Sequence, residues 1–127
     1  MQVNSSEPLS IQVIAAALAA PERFSIELLD SCESTSTLLL DRAQQDAPSG
    51  SAIVCERQTA GRGRRGRSWL SAPGDSLTFS LLWRFAAGLP PPAGLSLATG
   101  VAVARALEGA GTAGVRLKWP SDILADG

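Results

Sequence analysis

Five of the chain's eleven lysine and arginine residues, Arg57, Arg62, Arg64, Arg65 and Arg67, fall in one run, Glu56 to Trp69, which reads E-R-Q-T-A-G-R-G-R-R-G-R-S-W. Arginine keeps its charge at any working pH and presents a planar fork of donors that fits carboxylates and phosphates. Gly61, Gly63 and Gly66, set between the arginines, let backbone N–H groups turn toward a ligand. No apolar run interrupts the stretch, which predicts a mobile cationic loop built to hold an anion. Such a loop can draw together two anions that repel each other, for example a carboxylate and an ATP phosphate. Activating a carboxylate as an acyl-adenylate needs that neutralisation, because charge builds on phosphorus oxygens in the transition state. An arginine-glycine segment that binds RNA, or is simply solvated, has the same composition. The framing of this segment by two strands, and Trp69 as an aromatic able to close over a base or pack the folded loop, favour the anion.

Two further clusters could carry chemistry. Leu117 to Asp122 reads L-K-W-P-S-D, with the chain's one lysine, Lys118, at a strand end and Asp122 four residues on. A phosphate-seeking cation, a tryptophan and a carboxylate able to hold Mg2+ make a nucleotide corner; an ordinary strand-to-turn junction with an exposed lysine is the alternative. Ser34, Thr35 and Ser36 sit in a polar cluster that opens an apolar run of helical spacing, where hydroxyls can bind a ligand or only cap a helix.

The elements that must position these residues are legible as periodicities. Ser10 predicts the N-cap of a helix over about Ile11 to Ala20, stopped by Pro21. Phe24, Ile26 and Leu28 alternate with polar residues, the mark of a half-buried strand to about Leu29. Ser34 or Thr35 then caps a helix whose apolar spacing runs from Leu38 to Gln44. Ala52 to Cys55 is a short strand delivering the arginine loop, and Leu77 to Phe85 is an apolar strand predicted to be central in its sheet. Ala93 to Ala110 has helical spacing, Val115 to Trp119 is a strand broken by Pro120, and Ile123-Leu124 begins a further element.

Composition narrows the chemistry. At 127 residues with 45% apolar and 18% charged residues, the chain is an ordinary globular domain. The net charge of -1 makes the basic loop a local feature and argues against a dedicated nucleic-acid binder. With no histidine, proton transfer by histidine, Ser-His-Asp triads and Cys/His zinc sites are excluded. Cys32 and Cys55 lie outside any C-x-x-C spacing and read as reduced, buried residues of a cytoplasmic protein. Ile11 to Ala20 lacks the preceding positive charge of a signal peptide, and no run is long enough to span a membrane.

Taken in order, these stretches resemble the catalytic domain of bacterial biotin protein ligases. The family's motifs correspond here to Ser34-Thr35-Ser36, to Gln58 with A-G-R-G-R-R-G-R-S-W from Ala60 to Trp69, to Trp83-Arg84, and to Lys118-Trp-Pro-Ser-Asp122. The resemblance implies an α+β fold, a mixed β-sheet flanked by helices and related to class II aminoacyl-tRNA synthetases. It implies that biotin's carboxylate attacks the α-phosphate of Mg2+-ATP, giving biotinyl-5'-AMP, and that the acyl group passes to a lysine of a biotin carboxyl carrier protein. On that basis Ser34, Thr35, Ser36, Gln58 and Gly61 would bind the biotin ring system, and Arg62, Gly63 and Arg64 would lie along its carboxylate and the adenylate phosphate. Arg67 and Trp69 would order the loop over the adenylate, and Lys118, Ser121 and Asp122 would serve the phosphate and metal side, with Arg62, Arg64 and Lys118 catalytic. Lipoate ligases belong to the same wider group and are disfavoured by the intact G-R-G-R-R-G-R.

Two family asparagines are serine here, Ser36 and Ser121, each shortening a hydrogen-bonding group by an expected cost of about 1 kcal/mol. Family members continue with a K-L-A-G-I-L segment and a small C-terminal β domain that lie outside these residues. The expectation is therefore the N-terminal portion of a catalytic domain of the monofunctional type, without a DNA-binding region, active or retaining biotin binding alone.

Overall fold

The computed structural model describes residues 8–126, which fall into two units, the first ending at Arg84 and the second beginning at Phe85. The first unit contains α1 (Ile11–Ala17), β1 (Ser25–Cys32), α2 (Thr35–Gln44), β2 (Ser51–Gln58) and β3 (Thr78–Leu81). Its strands form one sheet in the order β1-β2-β3. β1 and β2 are parallel, with Ser25 opposite Ser51 and Cys32 opposite Gln58. Parallel neighbours cannot be joined by a tight turn, and α2 is the crossover that joins them.

The register sorts side chains onto two faces. Glu27, Ile53 and Ser80 stand side by side on one, and Ile26, Ala52 and Leu81 on the other. α2 covers the first face, buries Leu39 there and ties Arg42 to Glu27 in an ion pair. On the second face Ile14 and Leu18 meet Phe24, Ile26, Val54 and Phe79 around an apolar cavity of about 260 Å³. Ile53, Val54 and Cys55 in the middle strand and Leu39 are the buried apolar residues among those described. Each large aliphatic side chain so buried contributes roughly 1.5 to 3 kcal/mol.

Three expectations shift. The strand over Leu77 to Phe85 is neither central nor long: β3 is four residues at the edge of this sheet. The central place goes to β2, whose A-I-V-C run is apolar on both faces, whereas β3 alternates Thr78 and Ser80 with Phe79 and Leu81, which stay 52% and 47% exposed. α1 stops at Ala17 because Leu18 takes an extended backbone that places it at the apolar cavity. Of the two cysteines, both free, Cys55 is buried and Cys32 only half-buried.

Ser34 is the N-cap of α2, its hydroxyl accepting from the Thr37 N–H. At the other end Asp46 takes the left-handed conformation (φ 64°) and the Ala47 N–H returns to the Arg42 carbonyl at 3.0 Å, the closure that glycine usually provides. Asp46→Gly is therefore expected to stabilise the first unit by about 0.5 kcal/mol, read as a higher urea midpoint at unchanged slope. An unchanged or lower midpoint counts against strain at Asp46.

Burial first, then hydrogen bonding and charge from Cys55, push the Cys32 thiol up from 9.0 to about 12. Since the thiolate is the reactive form, iodoacetamide at pH 8 should label Cys32 far more slowly in the native chain than in urea. The native thiol keeps its proton while the unfolded one loses it, so this group withdraws stability as pH rises from 9.0 toward 12. Equal labelling rates in the two states would contradict the shielding.

The second unit contains α3 (Leu95–Gly109), β4 (Arg116–Lys118) and β5 (Asp122–Leu124). β4 and β5 form an antiparallel hairpin in which Lys118 stands opposite Asp122. Ser96 ties α3 to the hairpin turn by donating to the Pro120 carbonyl at 3.0 Å. No described helix is long and apolar enough to cross a membrane.

Candidate functional site

The carboxyl ends of β1 and β2 converge on one spot. Beyond the last strand pair, Thr59 N–H donates to the Cys32 carbonyl at 2.9 Å and Ala60 N–H to the Glu33 carbonyl at 2.8 Å, so the start of the arginine loop is zipped to the start of α2. Gln58 is thereby set against the helix N-terminus, where backbone donors lack intrahelical partners. Its Oε1 accepts from the Thr35 backbone N–H at 2.8 Å and lies 3.3 Å from the Thr35 hydroxyl. Ser34 and Thr35 are 5% and 3% exposed, so little of either residue is open to solvent at this corner. Ser36, next in line, faces outward and is exposed.

The arginine-glycine segment, expected as a mobile loop, builds a short ladder of its own. Trp69 N–H donates to the Gly61 carbonyl at 2.9 Å and Gly63 N–H to the Arg67 carbonyl at 2.6 Å, with Arg62 and Ser68 bridged between them. The tip is a 3-10 turn over Arg64–Gly66, with Arg65 (φ 57°) and Gly66 (φ 72°) left-handed. Gly61 sits where a Cβ would come within 2.8 Å of Gln58 Nε2 and would collide with the Trp69 carbonyl oxygen. Only glycine lets the ladder close against Gln58. Trp69 is 60% exposed, and one edge of its ring lies against Gly63.

Arg62 donates to Thr37 Oγ1 at 2.9 Å, fastening the ladder to the first turn of α2. Arg64, Arg65 and Arg67 are exposed, and among the described residues their guanidinium groups make no ion pair, the two present being Arg42–Glu27 and Arg116–Asp126. The result is a rim of free cations above a corner of hydroxyl and amide groups. That arrangement suits a ligand with an uncharged polar ring and an anionic tail.

Ser34, Thr35, Gln58, Gly61 and Arg62 are thus brought together, with Gly63, Arg64, Arg67 and Trp69 on the adjoining ladder. Lys118, Ser121 and Asp122 lie in the second unit, where with Trp119 and α3 they line a cavity of about 490 Å³. All three are exposed. No cluster of three or more His, Cys, Asp or Glu is present among the described residues. A single carboxylate such as Asp122 fits Mg2+ only if the metal arrives with nucleotide phosphates and water completing its shell, which is its usual mode of binding.

Sequence reasoning gave no role to three residues. Ser80 lies 2.8 Å from the Thr35 hydroxyl, and Thr37 holds Arg62. Arg84, read only as part of a Trp-Arg pair, donates from Nε to the Ala47 carbonyl at 2.9 Å and from Nη2 to the Ala43 carbonyl at 2.9 Å, satisfying the carboxyl end of α2. Its neighbour Trp83 carries the Arg23 guanidinium 5.9 Å from its ring centre. The alternation of Thr78 and Ser80 within an apolar strand was the available signal for Ser80.

The model of the Biotin/lipoate A/B protein ligase family matches residues 28–127. The chain belongs to that family. The bifunctional ligase/repressor BirA of Escherichia coli is 39% identical over 92% of this chain and 36% of its own length. The biotin acetyl-CoA-carboxylase ligase of Mycobacterium tuberculosis is 37% identical over 80% of this chain and 40% of its own. Among solved structures, the biotin protein ligase of Aquifex aeolicus in complex with biotin and ATP is 37% identical at a TM-score of 0.64, over 78% of this chain and 40% of that one. A biotin acetyl coenzyme A carboxylase synthetase from Helicobacter pylori with bound biotinylated ATP gives a TM-score of 0.68 at 29% identity, over 80% of this chain and 49% of that one. This member of the ligase family has the mixed α+β fold of biotin protein ligase catalytic domains. It spans between about a third and a half of the length of these relatives.

Proposed function

We propose that the chain carries the biotin- and adenylate-binding elements of a biotin protein ligase, which activates biotin with ATP and transfers it to a lysine of a biotin carboxyl carrier protein. The observation that supports this most directly is the closed corner of Ser34, Thr35, Gln58 and Gly61 beneath a rim of unpaired arginines. The corner takes the uncharged ring system, and the rim takes the carboxylate and the α-phosphate.

An oxygen of the biotin carboxylate forms a bond to the α-phosphorus, the bond to the bridging oxygen breaks, and pyrophosphate leaves with the electron pair. Arg62 and Arg64 bring the two anions together and stabilise the charge that gathers on the phosphoryl oxygens. Arg67 and Trp69 hold the ladder over the adenylate, and Lys118 and Ser121 serve the nucleotide. Mg2+, held by Asp122 together with the nucleotide, would neutralise phosphate charge. The adenylate's carbonyl is then attacked by the carrier lysine, and AMP leaves.

The chain incubated with ATP, Mg2+ and labelled biotin is expected to form biotinyl-adenylate and release pyrophosphate. Biotin binding without either product would leave a binding module in place of an enzyme. Salt-sensitive RNA binding without biotin binding would return the arginine segment to nucleic acid.

A further inference from the structure

Ser80 stands outside the residues implicated so far. It is a polar residue in an apolar strand, side by side with Ile53 on the face that α2 covers. Its Oγ is 2.8 Å from Thr35 Oγ1. Thr35 is 3% exposed, so water does not substitute readily for a lost partner.

A threonine hydroxyl has one proton to give and two lone pairs to offer. The Thr35 proton is within reach of Gln58 Oε1 at 3.3 Å. When Thr35 gives its proton there, the Ser80 hydroxyl donates to Thr35 and the bonds run one way, from Ser80 through Thr35 to Gln58. Gln58 Oε1 then accepts twice, from the Thr35 N–H and O–H, and both its lone pairs are spent. The amide nitrogen, turned toward Gly61, makes no hydrogen bond among the described residues and is left to the ligand as a pure donor.

We infer that Ser80 is a positioning residue of the site, acting through Thr35 to fix the Gln58 amide with its nitrogen toward the ligand. This rests on the biotin-site reading for its consequence and on the hydrogen-bond chain alone for its existence. Without Ser80, the Thr35 hydroxyl is free to turn from Gln58, and the amide loses one of its two anchors.

Two measurements on the 127-residue chain test it. In the ligand-free protein, Ser80→Ala should shift the Gln58 side-chain amide pair in an 15N correlation spectrum while those of Gln12, Gln44 and Gln45 stay put; an unmoved Gln58 pair overturns the inference. In calorimetric titration Ser80→Ala should weaken biotin binding about 5- to 10-fold, as expected for one indirect hydrogen bond, and Ser80→Thr should restore it. Within a Thr35→Val background the same change should cost nothing further, because the path through Thr35 is already cut. Fully additive losses overturn the inference. If Ser80→Ala fails to fold, Ser80→Cys keeps the volume with a weaker donor and is expected to shift Gln58 in the same direction. A parent chain that binds no biotin sinks the functional reading, and the Gln58 resonance still decides the role of Ser80.

Discussion

Gly61→Ala is expected to weaken biotin capture sharply while leaving the sheet intact. A Cβ there meets two obstacles at once, the Trp69 carbonyl oxygen and the Gln58 amide nitrogen at 2.8 Å. Neither can retreat cheaply. The Trp69 backbone is held by its own N–H on the Gly61 carbonyl, and Gln58 is pinned by Thr35. Relief requires opening the base of the ladder and swinging Gln58 away, which forfeits two to three hydrogen bonds at about 1 kcal/mol each. Titration should therefore give about a 30- to 150-fold loss of biotin affinity. The core at Ile53 and Leu39 is untouched, so circular dichroism should stay near that of the parent, while the urea midpoint falls with the lost hydrogen bonds. Retained affinity would show that the ladder does not sit against Gln58 when ligand is bound.

Arg64→Ala should separate chemistry from binding. Arg64 opens the 3-10 tip of the ladder, and its guanidinium has no ion-pair partner among the described residues. Removing it breaks no ion pair or side-chain hydrogen bond among the described residues. On the proposed function its charge acts where charge develops, on the phosphoryl oxygens, and loss of one such group costs about 100- to 1,000-fold in rate. Pyrophosphate release should fall by that factor while biotin affinity, dominated by the corner at Ser34 and Gln58, falls far less. Arg64→Lys should recover only part of the rate, since an ammonium is a point charge without the guanidinium fork. Equal losses in rate and affinity would instead make Arg64 a ground-state ligand contact.

The parts of the site that lie close in sequence were readable from it. Ser34 announces itself as a cap by position, and the arginine-glycine run is conspicuous in any composition profile. The contacts that give those residues shape span 20 residues or more. Gln58 reaches Thr35 across 23 positions and Thr35 reaches Ser80 across 45, and no local pattern encodes a partner at that distance. Strand order was hidden for a related reason. An apolar run signals burial without saying which neighbour provides it, so Leu77 to Phe85 read as central while β2 took that place. The ladder was missed because its hydrogen bonds are backbone to backbone, and glycine-rich sequence carries no side-chain pattern to betray them.

The carboxyl end of α2 has a consequence for how the first unit assembles. A ten-residue helix is marginal on its own in water, and the carbonyl of Ala43 in its last turn finds a donor on Arg84, 41 residues further along, which also holds the Ala47 carbonyl just beyond the helix. The first unit ends at that same residue. On a ribosome the helix that Ser34 caps and Thr35 opens is thus synthesised long before this terminal donor exists. Closing a loop of that length costs chain entropy before any bond rewards it. The corner at Ser34, Thr35 and Gln58 is in this sense a late product of folding, completed when the last side chain of the unit arrives to cap a helix made much earlier.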